Sequence, residues 1–281
     1  MGCMESKPAE PEAGGRTAEK EPDGSKHGGN DFAPAAETEP EPKTEAKAEA
    51  EAEVPVKKVK IHAMPMSMNC VGPIMLANVA ECGELEICKL FEGAHKTEAF
   101  TQLNAYNKVP TLEDGEFSMG ESNAICRYLA LKYKPELYPP TELESCGKID
   151  FAMDVWAFEI DKLHAQVVYP VGFADYYKHP EDLAATVAAY IGALDKWGKT
   201  FLGDGKFVLG DKLSIADYKV VPFFWAAMCC EEEVDGLKVP AQIKEYVDAF
   251  FGAVEAAKVM KECDGYSIAE WFASQIAAKE N

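Results

Sequence analysis

The sequence predicts an α/β domain followed by an all-helical domain, with an acidic tail in front of both. The segment 56–90 runs in the order strand, helix, strand. Two short alternating stretches then flank Asp114-Gly115, which is a hairpin signal. Beyond the proline-rich segment 134–140, apolar residues recur at helical spacing. The predicted limits are 1–55 for a disordered tail, 56–136 for the α/β domain and 141–281 for the helical domain.

Composition limits the classes of function. The 281 residues are 47% hydrophobic, enough for a sizeable core, and carry a formal net charge of −20. So strong a negative charge argues against a nucleic-acid partner. No apolar run approaches the roughly 18 residues of a membrane span, and no secretory leader is expected. The nine cysteines lack zinc-ligand spacing, so we expect reduced thiols in a cytoplasmic protein and no metal.

The first six residues match the N-myristoylation pattern M-G-x-x-x-[ST], with Gly2 as the acceptor. Cys3 beside it is a candidate for palmitoylation, and two acyl chains are needed for a stable membrane anchor. Residues 1–55 hold 14 acidic and 6 basic side chains, so attraction to anionic lipid would not add to binding. The pattern predicts a reversible tether to the cytoplasmic face of a membrane. The alternative is a chance match in a solubilising tail.

Local patterns define the elements of the α/β domain. Glu121 and Ser122 stand at the start of its last helix, whose free N–H groups and positive dipole end form a ready carboxylate site. Pro110 lacks a donor and so belongs at a strand start or turn, where a cis bond is compatible with the pattern. The predicted elements are a strand at 56–63, a helix at 72–80 with Pro73 in its first turn, a strand at 84–90, a helix at 97–103, and hairpin strands at 111–113 and 116–119.

Two motifs carry a resemblance to a known family. Val-Pro-x-Leu-x-Asp-Gly at 109–115 and Glu-Ser-x-Ala-Ile-x-x-Tyr-Leu at 121–129 resemble the glutathione-binding half of cytosolic glutathione S-transferases. The theta and delta classes, which use a serine, are the most similar, and the resemblance runs from Val59 to the C-terminus. It implies a thioredoxin-like first domain, an all-helical second domain and a homodimer.

The resemblance also implies a catalytic hydroxyl. Ser67, three residues before Cys70, matches the Ser-x-x-Cys pattern of the serine classes and would stabilise the thiolate of glutathione. Where the family has proline and arginine around that cysteine, this chain has Asn69 and Val71. Two alternatives remain: Ser67 bonds its own backbone, or Cys70 is a redox nucleophile, although it has no CxxC partner.

Five further residues match positions that hold glutathione in the family. His95 and Lys108 would contact the glycyl carboxylate, and the backbone of Val109 would pair with the cysteinyl unit. Glu121 would face the α-ammonium and Ser122 the α-carboxylate of the γ-glutamyl unit. The alternatives are a solvated loop histidine, a surface lysine and ordinary helix-capping residues.

The helical domain begins with a long amphipathic helix predicted at 143–168. A second helix runs through Phe201, and the segment 207–218 resembles the family's folding signature, with Ser214 and Asp217 as a capping box. Two more helices are predicted within 240–263 and a last one at 267–278, and the adjacent thiols Cys229 and Cys230 are interpreted as buried. The candidates for an apolar substrate wall, for which core or dimer packing is the alternative, are Trp156, Phe158, Tyr169 and Phe173.

These patterns together predict a transferase that conjugates glutathione, its co-substrate, to apolar electrophiles, with peroxide reduction as a possible further activity. No separate cofactor is implied. A non-catalytic scaffold of the same fold is one alternative, and a thiol transferase acting through Cys70 is the other.

Overall fold

The computed structural model describes residues 58–255 and residue 257, and its first layer is a four-stranded mixed sheet. Strand β1 pairs with β2 in parallel and with β3 antiparallel, so Ile61 lies opposite both Leu85 and Leu112. Strand β4 returns along β3 through the predicted turn, with Gly115 at a φ of +67°. The strands, which lie in the order β2-β1-β3-β4, are β1 (Val59–Ala63), β2 (Gly83–Ile87), β3 (Thr111–Asp114) and β4 (Phe117–Met119).

Three helices complete this layer: α1 (Met68–Val79), α2 (Glu98–Leu103) and α3 (Ser122–Tyr133). Helix α1 connects the two parallel strands, as a parallel pair requires. The side chain of Thr97 caps α2 by accepting the N–H of Phe100 at 3.3 Å. The thioredoxin-like arrangement predicted from the sequence is confirmed.

Helix α1 begins four residues before the predicted start at Gly72. Ser67 is its N-cap residue, although the serine side chain makes no capping hydrogen bond. Pro73 therefore lies in the second turn rather than in the first. Burial explains the difference, because Met68 and Cys70 are both buried, and tertiary packing extends the helix to include them.

The second layer consists of helices, and the long helix predicted at 143–168 is helical without a gap from Leu143 to Val167, although not α-helical throughout. A π-helical turn, Trp156–Ile160, interrupts it. This wide turn keeps Trp156 and Ile160 buried on the core side while Phe158 points outward, 81% exposed. The helices are α4 (Leu143–Val155), α5 (Asp161–Val167), α6 (Tyr169–Gly172), α7 (Leu183–Phe201), α8 (Ile215–Cys229) and α9 (Ala241–Ala253).

Helix α8 is the centre of the helical layer. Its N-terminus carries the predicted capping box, in which the backbone N–H and the hydroxyl of Ser214 donate to Asp217 Oδ2 at 2.7 and 2.8 Å. The other carboxylate oxygen accepts from Val208 N at 3.0 Å and from the Tyr246 hydroxyl at 2.7 Å. Four donors thus satisfy a carboxylate that is fully buried, so the segment before α8, α8 itself and α9 are joined at one point.

The two layers meet where α1 crosses α8. A Cβ atom added to Gly72 would lie only 2.8 Å from the carbonyl oxygen of Tyr218 and 3.4 Å from the Cα of Lys219. Glycine at this position therefore permits backbone-to-backbone contact. The side chain of Lys219 extends from this crossing.

Some predictions fall outside the described residues: the acyl acceptors Gly2 and Cys3, the tail to residue 57, and the helix at 267–278. One helix, α9, is described within the segment for which two were predicted. Cys230 is buried as expected, but Cys229 is exposed, so the interpretation of both as buried thiols was wrong for the first. Among the described residues no helix is long and apolar enough to cross a membrane, and no cluster of three metal-binding side chains occurs.

Candidate functional site

Two cavities lie beside the N-termini of α1 and α3, and Asn69 borders both. The polar cavity has a volume of about 350 Å³ and the apolar cavity about 570 Å³. The polar cavity is lined by Asn69, Lys108, Val109, Pro110, Glu121, Ser122, Asn123, Asp154, Trp156, Ala157, Phe158, Asp161 and Lys219. The apolar cavity is lined by Met64, Met66, Ser67, Met68, Asn69, Leu90, Phe91, His95, Lys96, Tyr169, Phe173, Tyr176 and Tyr177.

Four of the five residues predicted to hold glutathione line the polar cavity. Lys108 and Val109 approach from the turn before β3, and Glu121 and Ser122 from the start of α3. Glu121 has a φ of +62°, a conformation that side chains other than glycine seldom adopt and that is concentrated at functional sites. His95 is the exception, because it lines the apolar cavity instead.

The turn before β3 is held by a buried polar side chain that the sequence analysis did not single out. Asn104 Nδ2 donates to the carbonyl oxygen of Lys108 at 3.1 Å and to Thr111 Oγ1 at 2.9 Å. The Thr111 hydroxyl donates in turn to the same Lys108 carbonyl at 2.8 Å. These three bonds fix the backbone around Val109, whose peptide bond to Pro110 is cis. An asparagine in a loop gives no hint in the sequence of such a supporting role.

The apolar cavity is formed by methionine and aromatic side chains around Ser67. Tyr169 and Tyr177 have ring centroids 5.0 Å apart, and Phe91 and Tyr176 are 5.2 Å apart. Offset and edge contacts of this kind make a rigid aromatic surface. The methionines add polarizable contact area that adapts to ligand shape. The cavity is therefore suited to a flat apolar compound next to a hydroxyl group.

The four candidates for an apolar wall divide between the two cavities. Tyr169 and Phe173 line the cavity that contains Ser67, whereas Trp156 and Phe158 line the polar one. Trp156 is only 1% exposed, and its ring lies 4.8 Å from that of Phe223. Its main contacts are thus within the core, in line with the structural alternative stated above.

Ser67 and Cys70 stand one turn apart at the start of α1, and their environments differ. Ser67 is partly exposed in the apolar cavity, whereas Cys70 is fully buried. Burial raises the pKa of the Cys70 thiol to about 12, although hydrogen bonds from Met64 and Ser67 act in the opposite direction. A nucleophilic cysteine needs access and a lowered pKa. The structure therefore argues against Cys70 as the redox nucleophile.

Lys219 is a charged residue in the polar cavity that the sequence analysis missed. The residue is 3% exposed, and its ammonium group donates to Asn69 Oδ1 at 2.6 Å and to Ser122 Oγ at 2.8 Å. Burial lowers its pKa to about 8. The only signal in the sequence is a lysine inside the otherwise apolar stretch of α8.

Further polar groups are buried beside this lysine. The imidazole Nδ1 of His164 lies 2.7 Å from the Tyr190 hydroxyl, and burial lowers the His164 pKa to about 3, so the ring is neutral. Burial also raises the pKa of Asp161. Within the described residues, Asp161 Oδ1 and Trp156 Nε1 have no hydrogen-bond partner. A buried acceptor and a buried donor are thus available at the edge of the polar cavity.

Comparison with known proteins agrees with this geometry. Residues 57–131 match the family model of the glutathione S-transferase N-terminal domain. Glutathione S-transferase theta-1 from Bos taurus is 39% identical over 140 residues, which are 48% of this chain and 58% of the relative. Theta-2 from Homo sapiens is 29% identical over 185 residues, 60% of this chain and 72% of the relative. The chain thus spans somewhat over half the length of the theta-1 relatives that it matches.

Solved structures show the same fold over a longer stretch. A delta-class glutathione transferase from Nilaparvata lugens superposes with a TM-score of 0.64 at 25% identity, over 77% of this chain and 99% of the other. A theta-class enzyme from Xanthomonas axonopodis, solved with glutathione bound, gives a TM-score of 0.64 at 21% identity, over 74% and 99% of the two chains. Residues 57–131 therefore match the glutathione S-transferase N-terminal domain family, and the two layers together have the fold of the solved glutathione transferases.

Proposed function

We propose that this protein is a glutathione transferase that holds glutathione across the two cavities and conjugates it to an apolar, aromatic electrophile. The observation that carries the proposal is the common border of the cavities at Asn69. On one side lie polar groups suited to the peptide, and on the other Ser67 and an aromatic surface. The theta-class relatives support the same reading.

The γ-glutamyl end would occupy the polar cavity. Ser122 and the N-terminus of α3 offer donors to its α-carboxylate, and Glu121 offers an acceptor to its α-ammonium. Val109 would pair its backbone with the cysteinyl unit, as an added strand does. The glycyl carboxylate would then lie near Lys108, while His95 faces the apolar cavity and is better placed toward the second substrate.

The glutathione thiol would lie at Ser67. A free thiol has a pKa near 8.5, so it is mostly protonated at neutral pH. The Ser67 hydroxyl can donate to the thiolate, and the N-terminus of α1 contributes its positive dipole end. A pKa lower by two units would correspond to about 2.7 kcal/mol of stabilisation. The thiolate sulfur then attacks the electrophilic carbon, a C–S bond forms, and the leaving group departs with its bonding electron pair.

Calorimetric titration of glutathione at neutral pH, combined with ultraviolet difference absorbance of the thiolate, tests this function. We expect binding accompanied by a thiolate signal. Binding without thiolate would contradict activation at Ser67 and would favour glutathione sensing or thiol-transferase chemistry. Absence of binding would overturn the proposal and favour the non-catalytic scaffold.

We infer a homodimer, a cytoplasmic location and a reversible membrane tether through acylation of Gly2 and Cys3. Apolar electrophiles, lipid peroxides among them, partition into membranes, so a tether would bring the transferase to them. Unchanged membrane fractionation of Gly2→Ala would contradict the tether without affecting the proposed conjugation.

A further inference from the structure

The buried ammonium group of Lys219 needs an explanation that packing alone does not supply. Lysine is almost never fully buried unless it is paired, because removing its charge from water is costly. No carboxylate of the described chain lies within ion-pair distance of Lys219 Nζ. Its near neighbours are neutral: the Asn69 amide, the Ser122 hydroxyl and the ring of Phe223, whose centroid is 4.7 Å away. Within the described chain, a buried positive charge thus borders the polar cavity without a carboxylate at ion-pair distance.

The direction of the hydrogen bonds shows what this charge does to Ser122. Because Lys219 donates to Ser122 Oγ, the hydroxyl oxygen acts as acceptor there and its proton must point elsewhere. Within the described chain that proton is directed to Asn69 Oδ1 at 3.4 Å, a long contact. The same Asn69 oxygen already accepts a shorter bond from Lys219 at 2.6 Å. Ser122 is thus prepared to donate to a better acceptor that enters the cavity.

The groups around Lys219 suit a zwitterionic ligand, which carries a carboxylate and an ammonium group. Cys70 on α1 and Cys126 on α3 face it as buried thiols whose pKa values burial raises to about 12, so both are neutral. The carboxylates that act on it electrostatically are Glu121 and Asp161. Asp161 Oδ1 is buried without a hydrogen-bond partner in the described chain, so an acceptor for an ammonium group is at hand.

We propose that Lys219 is a positioning residue for the α-carboxylate of the γ-glutamyl unit. It orients the Ser122 hydroxyl toward that carboxylate and supplies the balancing positive charge. The inference rests on the proposed function, since it assumes that glutathione occupies the polar cavity. It adds a residue of the helical layer, 97 positions from Ser122 in the sequence, to the recognition of the amino-acid head group.

The experiment compares two ligands on three proteins. The ligands are glutathione and γ-aminobutyryl-cysteinyl-glycine, which lacks only the α-carboxylate. The proteins are the wild type, Lys219→Met, and the control Lys212→Met, which removes the same charge from an exposed position just before α8. Calorimetry gives the dissociation constants, and turnover with a benzylic halide gives KM for glutathione separately from kcat.

We expect Lys219→Met to weaken glutathione binding at least about tenfold, as loss of a charge-assisted interaction does. Binding of the decarboxylated peptide should change less than about twofold, and kcat at saturating glutathione less than about threefold, because the thiol is positioned elsewhere. Lys212→Met should resemble the wild type for both ligands. Lys219→Gln provides the same comparison with a polar side chain if Lys219→Met folds poorly.

Each other outcome has a distinct meaning. Equal weakening of both ligands by Lys219→Met would overturn the inference and assign the lysine a structural role, while leaving glutathione binding established. Equal affinity of the wild type for the two ligands would overturn the inference even before a variant is measured, because then no group of the protein would recognise the α-carboxylate. Failure of the wild type to bind glutathione at all would overturn the proposed function itself.

Discussion

The backbone N–H of Cys70 donates to the carbonyl oxygen of Ser67 at 2.7 Å, at the start of α1. The two competing hypotheses, Ser67 as stabiliser of the glutathione thiolate and Cys70 as redox nucleophile, thus concern residues within one helical turn. The serine borders the cavity, and the cysteine lies beneath it with its proton retained. Ser67 is therefore able to serve a ligand thiol, whereas Cys70 serves to pack α1.

Substitution at these two positions separates conjugation from redox chemistry. Ser67→Ala removes the donor to the thiolate and should lower kcat for conjugation roughly 10²-fold, as loss of one preorganised donor does. Cys70→Ala should leave kcat within about threefold and destabilise the fold by on the order of 1–2 kcal/mol through a small cavity. Steady-state kinetics and urea unfolding check both. Loss of activity in Cys70→Ala but not in Ser67→Ala would reverse the assignment.

Ser122→Ala should affect both binding and stability. The variant loses the proposed donor to glutathione and leaves the Lys219 ammonium with Asn69 as its one hydrogen-bond partner among the described residues. We expect about tenfold weaker glutathione binding and a loss of about 1–3 kcal/mol in the free energy of unfolding. Calorimetry and denaturant unfolding measure the two effects. Ser145→Ala, at a partly exposed serine of α4, is the control and should change glutathione binding not at all and stability much less.

Asp217→Asn should be strongly destabilising while leaving the glutathione site intact. The amide nitrogen replaces one carboxylate oxygen and cannot accept the two bonds donated to it, which come either from Ser214 or from Val208 and Tyr246. The expected loss in the free energy of unfolding is about 2–4 kcal/mol, from unsatisfied buried donors. Ser214→Ala should cost less, about 1 kcal/mol, because it removes one hydroxyl. A loss for Asp217→Asn no larger than for Ser214→Ala would contradict this account.

His164 should make the fold sensitive to acid. Its pKa is 6.5 as a free group and about 3 in the folded chain, where burial keeps it neutral. Between these values the unfolded chain takes up a proton that the folded chain does not, so the free energy of unfolding falls as the pH falls from 6.5 to 3. His164→Asn removes this titration while keeping a polar partner for Tyr190. Urea midpoints measured across this window should fall less steeply in the variant, and parallel curves would refute the assignment.

Lys219 should make stability depend on pH in the same direction, but in the alkaline range. Its pKa of about 8 in the folded chain lies below its ordinary value of 10.5, so in this window the unfolded chain binds more protons. Stability relative to Lys219→Met should therefore rise between pH 8 and 10.5, by up to about 3 kcal/mol. Differences between wild type and variant cancel the titration of tyrosines and other lysines. A constant difference across this range would show that the lysine is not held at a lowered pKa.

Local chemistry explains why much of the fold could be predicted. Two features depend only on residues close together in the sequence: the turn at Asp114-Gly115 and the capping box of Ser214 and Asp217. Both are confirmed in the structure. The early start of α1 could not be read in this way, since it depends on burial of Met68 against the rest of the core. The π-helical turn after Val155 likewise has no helix-breaking residue to announce it, and it coincides with the burial of Trp156 and Ile160.

In the candidate site, too, residues close to a sequence motif could be predicted and residues placed by distant contacts could not. The motifs around Val109 and Ser122 pointed to residues that do meet in one cavity. The position of His95 in the other cavity depends on the path of two short 3₁₀ turns, Leu90–Glu92 and Ala94–Lys96, which follow β2. The place of Lys219 in the site could not be predicted from the sequence, because its hydrogen-bond partners Ser122 and Asn69 are 97 and 150 residues away. A single lysine in an apolar helix is uninformative until those partners are known.

The contact at Gly72 has a consequence for how the protein melts. The backbones of α1 and α8 are in direct contact at this position, and the described residues, 58–255 and 257, lie in one compact unit. The sheet and the helices should therefore lose their structure in one cooperative step rather than in sequence. A calorimetric scan would then contain a single heat-absorption peak, with its van't Hoff enthalpy equal to its calorimetric enthalpy.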